Sequence, residues 1–225
     1  MEGYRFDPHV HTSLVSGCGK VHPDVLVPMY KEAGFSGIVI TDHYYDGYFD
    51  RQGDISWEEK VERYCSGYRA AKEIGDKIGL VVLFGQEMRF IEHVNDYLAF
   101  GITPDDLLET PELYNLNLAG YSPYIHKKGG LLYQAHPYRG SCEPADPTLI
   151  DGVEVYNGHP GHDSHNDLGQ AFCDKFRLRE IAGSDFHQAH HLARGGVIFK
   201  ECPTSLSEFI AMLRENAIHG LVRSD

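Results

Sequence analysis

Imidazole and carboxylate side chains follow five predicted strands of this sequence, each within a few residues of the strand end. The five segments are His9-Val10-His11, Thr41-Asp42-His43, Gly85-Gln86-Glu87, Gln134-Ala135-His136 and Ser184-Asp185-Phe186-His187. Because side chains alternate between the two faces of a strand, the His-x-His and Asp-x-His spacings place both ligands on one side. Imidazole and carboxylate ligands without thiolates suit zinc, manganese or iron in an open catalytic site. The pattern predicts a metal centre that activates water for hydrolysis.

Each of these segments alone also has an ordinary structural explanation. Asp42 and His43 could cap a helix or form a structural hydrogen-bonded pair. Glu87 could be a solvated strand end, and His136, which precedes Pro137, could be a turn residue. Five strand ends that carry such groups by accident are improbable, so together they favour a metal centre.

Short strand-like runs alternate with longer helical ones along the chain. The strands are predicted at Tyr4–Pro8, Gly37–Thr41, Leu80–Gly85, Tyr97–Gly101, Gly130–Gln134, Gly152–Tyr156, Arg179–Ala182 and Gly196–Phe199. The helices are predicted at Pro23–Ala33, Ser56–Ile74, Thr103–Leu108, Leu118–Lys128, Ser164–Phe176 and Ser205–Asn216. This alternation predicts an α/β fold with a largely parallel sheet, closed as a compact β/α barrel in a single domain over residues 1–225. In such a barrel the carboxyl ends of all parallel strands share one face, where active sites are built.

Composition and charge limit the partners of the protein. The 225 residues are 42% hydrophobic and carry a formal net charge of −13, which disfavours tight binding to long nucleic acid. No stretch reaches the roughly 20 apolar residues of a membrane span, and no signal-peptide pattern opens the chain. The five cysteines are scattered without a Cys-x-x-Cys pair, as is typical of a reduced compartment. We therefore expect a cytoplasmic protein, and the sequence does not indicate its oligomeric state.

The order of the five ligand segments resembles that of the PHP (polymerase and histidinol phosphatase) family, and the match extends from the first to the last of them. The resemblance implies a distorted, TIM-like barrel of about seven β/α units, two or three divalent metal ions, and hydrolysis of phosphate esters. It also implies a set of metal ligands, which are His9, His11, His43, Glu87, His136, Asp185 and His187.

Two positions depart from the family pattern. Ser16 and Gly17 stand where the family usually has an aspartate or histidine after the His-x-His pair. Asp96 lies close to where it usually has another histidine, and we expect its carboxylate to serve as an oxygen ligand there. A thiolate from Cys18 is an alternative ligand near the first departure. These differences leave the third metal ion open.

Further residues are candidates for contact with the substrate. Arg139 follows His136 by three residues, and its fork geometry suits a phosphate group; Arg194 is a second candidate. Asn157 and His159 begin a histidine-rich loop after a predicted strand and are expected nearest the centre. Two histidines of a later loop, at positions 190 and 191, are expected at the surface.

Catalytic roles are predicted for His43, Asp42, His187 and Arg139, in which Asp42 either orients His43 or binds metal itself. The general acid is left open among His187, His159 and a metal-bound water molecule.

The predicted function is the hydrolysis of a small phosphate ester, such as that of a nucleotide, a sugar or histidinol, by a metal-activated hydroxide. One alternative is an exonuclease or phosphodiesterase that acts on short oligonucleotides. Another is a catalytically silent metal-binding module, which the missing acidic residue at positions 16 and 17 keeps open. An amidohydrolase reaction is disfavoured, because it would normally need a bridging lysine after a middle strand and none of the five ligand segments contains a lysine.

Overall fold

Eleven β-strands and eight α-helices make up residues 2–224, the part of the chain that this computed structural model describes. The strands are β1 (Tyr4–Val10), β2 (Gly37–Ile40), β3 (His43–Tyr44), β4 (Val81–Phe84), β5 (Gln86–Arg89), β6 (Asp96–Phe100), β7 (Leu131–Gln134), β8 (Gly152–Asn157), β9 (Arg179–Gly183), β10 (Gly195–Phe199) and β11 (Ile218–Arg223). The helices are α1 (Pro23–Glu32), α2 (Asp46–Asp50), α3 (Trp57–Tyr64), α4 (Ser66–Ile78), α5 (Pro104–Glu109), α6 (Leu118–Lys127), α7 (Asn166–Phe176) and α8 (Leu206–Arg214). All eight predicted strands are present. The sequence analysis missed β3, β5, β11 and α2.

The strands form two mixed sheets. One has the order β11-β10-β1-β2-β4 and the other has the order β3-β5-β6-β7-β8-β9. Five of the strand pairings are parallel and four are antiparallel. The prediction of a largely parallel sheet was therefore wrong, because β6 and β10 each run against both of their neighbours.

The two sheets meet at two places, one on each side of the predicted metal ligands. Gly85 alone separates β4 from β5, so the chain passes directly from one sheet to the other. On the other side, the residue Phe186 after β9 exchanges backbone hydrogen bonds with the end of β1, through His11 N–H at 3.1 Å and His9 C=O at 3.2 Å. The α/β class is confirmed, whereas closure as a seven-unit barrel and the single-domain organisation stay predictions.

The helix predicted at Ser56–Ile74 is in fact two helices, α3 and α4, which break at Cys65. Its predicted end at Ile74 was also wrong, because α4 continues to Ile78 and is followed by Gly79, whose φ of 72° suits glycine. Gly75 serves packing instead. A Cβ there would lie 2.6 Å from the carbonyl oxygen of Leu80, so only glycine lets α4 approach β4 this closely.

Buried aliphatic and aromatic side chains fill the space between the sheets and the helices. The centre of the largest cluster is aromatic, with Tyr44, Phe49 and Tyr64 each 2% exposed or less. None of the helices within residues 2–224 is both long and apolar enough to cross a membrane.

Candidate metal centre

The Glu87 carboxylate lies in the middle of four of the predicted ligands. Its Oε1 atom is 3.2 Å from His9 Nε2 and 3.1 Å from His136 Nε2. Its Oε2 atom is 3.4 Å from His11 Nε2 and 2.6 Å from His43 Nδ1, the latter without the alignment of a hydrogen bond. Pairing of β3 with β5 places His43 directly beside Glu87 in register. Four imidazoles therefore converge on one buried carboxylate.

The Asp185 carboxylate is the second point of convergence. Its Oδ1 atom lies 3.4 Å from His9 Nε2, 3.3 Å from His11 Nε2 and 3.3 Å from His187 Nδ1. Arg139 Nη1 donates to its Oδ2 atom at 2.5 Å. The seven ligands that the family resemblance implied are thus brought together from both sheets, with their ligand atoms in groups that fit within 4.8 Å.

These residues fit divalent cations, because several of their polar atoms are buried without a hydrogen bond to any residue that the structure describes. The atoms that face the centre are His9 Nε2, His11 Nε2, Glu87 Oε2 and Asp185 Oδ1. A buried polar atom without a partner costs roughly 1–3 kcal/mol, so four in one cluster would be expensive without a ligand. Cations bound by these donors would offset that cost.

Hydrogen bonds behind the imidazoles orient them towards the centre. His9 Nδ1 lies 2.8 Å from Glu154 Oε1 and donates to it, which leaves the lone pair on Nε2 for a metal ion. Ser16 Oγ donates to Asp42 Oδ1 at 2.6 Å and therefore accepts from His11 Nδ1 at 3.2 Å. Both residues of the His-x-His pair thus present Nε2 lone pairs to the same point.

Asp42 lies behind the centre. Its carboxylate accepts hydrogen bonds from Thr12 N–H at 2.8 Å, Thr12 Oγ1 at 2.7 Å and Ser16 Oγ. It belongs to none of the ligand groups among the described residues. Burial raises the pKa of Asp42. Of the two predicted roles of Asp42, the geometry favours the orientation of a ligand. The ligand that Asp42 orients, through Ser16, is His11 and not the ring of His43.

Two of the ligands have a backbone conformation that is rare for residues other than glycine. The φ angles are 27° at His136 and 50° at Asp185. The backbone N–H of His136 donates to Glu154 Oε2 at 3.0 Å, which stabilises this turn. Strained residues of this kind cluster at functional sites, where the surrounding structure compensates their cost.

The charges of the cluster compensate one another. Burial alone would raise the pKa of Glu87, but the adjacent His43 and His9 hold it well below its usual range. Burial likewise opposes ionisation of Asp185, yet His9, His11 and Arg139 lower its pKa. Both carboxylates are therefore held ionised, as a cation ligand must be.

Asp96 lies at this edge because β6 is antiparallel, so its first residue is next to the last residues of its neighbours. Both of its carboxylate oxygens accept from Arg89, at 2.7 Å each. Oδ2 is 3.9 Å from His136 Nε2, and the residue forms a possible ligand group with His43 and Glu87. The carboxylate is placed as predicted, but a metal ion would share it with Arg89.

The predicted substrate residues occupy different depths. Arg139 reaches the centre, where Nη2 lies 2.7 Å from His136 Nε2. Asn157 Nδ2 donates to Glu154 Oε2 at 2.9 Å and is 3.3 Å from Asp185 Oδ2. Arg194 is turned away, because its Nε donates to the Gly158 carbonyl at 2.8 Å and holds the histidine-rich loop.

His159 was expected near the centre, whereas His191 lies closer to it than the sequence indicated. The ring of His159 lies 5.4 Å from that of His187 and 4.3 Å from that of His191. His191 was expected at the surface but is only 2% exposed, because its Nδ1 accepts the backbone N–H of His187 at 3.2 Å. Burial lowers the pKa of His159 to about 4, so its ring is neutral at physiological pH.

Sequence reasoning missed Glu154, which is 1% exposed and binds His9, His136 and Asn157 at once. One signal was available. Glu154 is a carboxylate between two buried valines, Val153 and Val155, and a charge buried there requires partners.

A cavity of about 360 Å³ opens beside His43 and is lined by Gly17, Cys18, His43, Tyr45, Arg51 and Arg89. Although burial opposes it, hydrogen bonds from His187 and His43 lower the pKa of Cys18 to about 6. A larger groove, of about 550 Å³, lies between α4, β4 and the start of α8, and none of the candidate ligands lines it. The smaller cavity is therefore the one that belongs to the candidate centre.

Comparison with known proteins gives a partial match to one family model. Residues 163–218, about a quarter of the chain, match a family model described as PHP-associated. No curated protein matches the chain significantly in sequence.

Solved structures share the fold at low sequence identity. A two-domain protein from Bacteroides vulgatus, containing a predicted PHP-like metal-dependent phosphoesterase, is similar with a TM-score of 0.69 and 20% identity. The match covers 96% of this chain but only 64% of that protein, less than two thirds of its length. PsfC from Pseudomonas syringae gives 0.65 and 13%, over 96% of this chain and 95% of that one. An amidohydrolase from Chromobacterium violaceum, solved with sulfate and no metal, gives 0.56 and 16%, over 97% of each chain. Together, the family model and the PHP-like fold confirm the resemblance to the PHP family.

Proposed function

We propose that this chain is a metal-dependent hydrolase that cleaves the phosphate ester of a small molecule, on a distorted seven-unit β/α barrel of the PHP type. One observation carries the proposal. Seven imidazole and carboxylate ligands converge with unpartnered buried atoms, and the guanidinium of Arg139 reaches into the same space. This combination offers positive charge for a phosphoryl group beside donors for two or three divalent ions.

The residues that would hold these ions are His9, His11, His43, Glu87, Asp96, His136, Asp185 and His187. When bound, zinc, manganese or iron would polarise the ester and lower the pKa of water to about 7, so that hydroxide is available as the nucleophile. The protein supplies the rest, namely orientation of the ligands, binding of the phosphate and hydrogen bonds to the leaving group.

Arg139 is the phosphate-binding residue in this proposal. Its Nη1 atom donates to Asp185 Oδ2 and its Nη2 atom lies 2.7 Å from His136 Nε2, so the guanidinium plane already reaches the centre. A planar guanidinium binds two phosphoryl oxygens at once and stabilises the charge that develops on them. Asn157, which is hydrogen-bonded to Asp185, would add a neutral donor on the same side.

His159 and His191 act as hydrogen-bond donors to the substrate. The Nδ1 atoms of both rings accept backbone N–H groups, from Gly161 at 3.0 Å and from His187 at 3.2 Å. Their hydrogens are therefore on Nε2, which makes these nitrogens donors and not metal ligands. Because His159 is only half-buried, its donor can reach the leaving oxygen of an ester bound at the centre.

The size and charge of the site favour a small substrate. The cavity of about 360 Å³ accommodates a small molecule, and Tyr45, Arg51 and Arg89 on its wall suit an aromatic or anionic part of it. The net charge of −13 disfavours a long polyanion. The Chromobacterium structure contains bound sulfate, which is a tetrahedral anion like the phosphate group of the proposed substrate. A cytoplasmic location remains a prediction.

The test is turnover of a phosphate-ester panel, which includes p-nitrophenyl phosphate, nucleotides and sugar phosphates, by protein reconstituted with manganese, zinc or iron. We expect turnover that chelation abolishes and that is lost in His136→Ala. The control His126→Ala should keep full activity, because His126 is a surface residue that contacts Asp151 and not the centre. Protein that binds metal but hydrolyses no ester would refute the proposal in favour of a silent module. Faster cleavage of di- and trinucleotides than of mononucleotides would favour the phosphodiesterase alternative.

A further inference from the structure

The buried carboxylate of Asp7 lies where β1 changes its neighbour. Up to Phe6, β1 pairs with the antiparallel strand β10. Further along, its neighbour is the segment after β9, and Val10 pairs there with Phe186 in parallel. Asp7 is fully buried between these two pairings and belongs to none of the ligand groups among the described residues. A buried carboxylate requires partners, so its hydrogen bonds indicate what it does.

Two backbone N–H groups donate to a single oxygen of this carboxylate. His9 N–H and Ser184 N–H each lie 3.1 Å from Asp7 Oδ1. His9 is a candidate metal ligand, and Ser184 directly precedes the candidate ligand Asp185. One side-chain oxygen thus joins the two segments whose ligand atoms, His9 Nε2 and Asp185 Oδ1, lie 3.4 Å apart.

These two hydrogen bonds replace those of a regular parallel ladder. One step further along the strands, His11 N–H donates to Phe186 C=O and Phe186 N–H donates to His9 C=O, as in ordinary parallel strands. Continued backwards by one step, that ladder would use the backbone carbonyls of Asp7 and Ser184 as its acceptors. The Asp7 carboxylate takes both donors instead, so the regular ladder ends there.

The backbone turn at Asp185 depends on this interruption of the ladder. Its φ of 50° differs from the extended backbone that a continuous ladder would need. Because side chains on extended backbone alternate in direction, straightening this residue would change the direction of its carboxylate, which now faces His9 and His11. The acceptor at Asp7 Oδ1 therefore favours the conformation in which Asp185 reaches the centre.

A tyrosine of α1 fixes the orientation of this carboxylate. The Tyr30 hydroxyl donates to Asp7 Oδ2 at 2.7 Å and accepts from Ser184 Oγ at 3.0 Å. The Tyr30 ring packs against Phe186, with the ring centroids 5.5 Å apart. Since Tyr30, Asp7 and Ser184 are fully buried, water does not compete for these hydrogen bonds.

We propose that Asp7 is a positioning residue of the metal centre, which acts through the backbone of His9 and Ser184 and binds no metal ion itself. The inference rests on the proposed metal centre but is independent of which ester is hydrolysed. Its essential feature is an acceptor oxygen and not a negative charge, because both backbone donors are neutral and share one oxygen. Asparagine keeps that oxygen and can present its NH₂ group to the Tyr30 hydroxyl, so it should replace Asp7.

The experiment is calorimetric titration of the metal-free full chain with zinc, with urea denaturation to verify that each variant folds. We expect zinc binding about 10- to 100-fold weaker in Asp7→Ala, because two buried N–H groups lose the acceptor that holds the ligands in place. Asp7→Asn should restore the wild-type affinity. Leu213→Ala is the control for a loss of stability alone, because it truncates a buried side chain on α8 and should leave the zinc affinity unchanged.

A second variant keeps the inference testable if Asp7→Ala does not fold. Tyr30→Phe retains the packing against Phe186 but removes the hydroxyl that fixes the carboxylate, so we expect zinc binding about 2- to 10-fold weaker. Unchanged zinc affinity in folded Asp7→Ala or in Tyr30→Phe would overturn the inference and leave the metal centre intact, as would weak binding by folded Asp7→Asn. If the wild type bound no zinc, the proposed metal centre would fail together with this inference.

Discussion

Replacing Glu154 with glutamine tests whether a carboxylate that does not bind metal nevertheless controls metal affinity. In the wild type, Glu154 Oε2 accepts from His136 N–H at 3.0 Å and from Asn157 Nδ2 at 2.9 Å. Its Oε1 atom accepts from His9 Nδ1 at 2.8 Å. Glutamine has one acceptor oxygen and one NH₂ group, so it cannot satisfy three donors on two sides.

The least costly arrangement keeps the glutamine oxygen on the side of His136 and Asn157. The NH₂ group then faces His9 Nδ1, and His9 must move its hydrogen to Nε2 to avoid contact between two donors. That nitrogen is the one that faces Glu87 and Asp185, so the lone pair for a metal ion is lost. The opposite arrangement is worse, because it creates two donor–donor contacts.

The loss of a hydrogen-bond partner behind a metal-binding histidine typically costs 10- to 100-fold in metal affinity, or about 1.4–2.7 kcal/mol. At a free metal concentration of 100 times the wild-type Kd, bound metal stabilises the fold by about 2.7 kcal/mol. A 100-fold weaker site would leave about 0.4 kcal/mol of this stabilisation. The effect is large enough to measure by urea denaturation.

The assay is calorimetric titration with zinc, together with urea denaturation at fixed free metal, for Glu154→Gln and for the control Glu180→Gln. Glu180 lies on the adjacent strand β9, where its carboxylate accepts from Gln170 at 3.1 Å and contacts none of the ligands. We expect weaker metal binding only in the first variant. If Glu154→Gln bound zinc as tightly as the wild type and gained the same stability from it, the argument about the His9 tautomer would be refuted.

Two further predictions concern packing and pH. Gly183→Ala should destabilise the metal-free protein by about 1–3 kcal/mol in urea denaturation, because the added Cβ would lie 2.5 Å from the Cβ of His9. Asp106→Asn should cost about 1 kcal/mol near neutral pH, because Asp106 accepts from both Thr103 N–H and Thr103 Oγ1 in a capping box. Partial burial opposes ionisation of Asp106, but Lys128 and Thr103 lower its pKa. A carboxylate whose pKa is lowered by folding stabilises the fold at pH values above the usual aspartate pKa of about 4. The cost of Asp106→Asn should therefore disappear as the pH falls through the pKa of Asp106 in the folded protein. Urea denaturation over a pH series would show this.

Each of these two predictions has a matched control on the same molecule. Gly17→Ala should have little effect, since nothing lies within 4 Å of an added Cβ there. Asp105→Asn removes an exposed carboxylate from the same first helical turn, without the capping hydrogen bonds. A neutral Gly183→Ala would contradict the close packing of β9 on β1, and a pH-independent effect of Asp106→Asn would contradict the role of its charge.

The predicted ligands could be found because each follows an apolar strand that is recognisable locally. His9, Glu87 and Asp185 are examples, and the structure places His9 Nε2 3.2 Å from Glu87 Oε1 and 3.4 Å from Asp185 Oδ1. The strand β5, with the sequence Gln-Glu-Met-Arg, was missed because its alternation is too short to distinguish from a loop. The pairing of β5 with β6 places Arg89 opposite Asp96. Arg89 then donates to both carboxylate oxygens of this predicted ligand, which the sequence did not indicate.

Other contacts depend on strands that are far apart in the chain. Glu154 lies 145 residues from His9, and no local pattern states that β8 turns this carboxylate towards β1. Ser16 stands where the family usually has an acidic residue or a histidine. Its hydroxyl links Asp42 to His11 and so orients the His11 ring instead of binding a metal ion itself. His191 follows the last ligand by four residues, but its burial depends on the Nδ1 hydrogen bond to the backbone of His187.

By itself, the sequence determined the α/β class, the eight main strands and the side chains that can bind metal, because periodicity and residue chemistry act over a few neighbouring positions. Only the tertiary structure decided the direction of β6, the hydrogen bonds that select each imidazole tautomer, and the position of Cys18 between His43 and His187. These properties depend on distances and angles between segments that are remote in the chain. Such geometry is established only when the strands pair and the core packs.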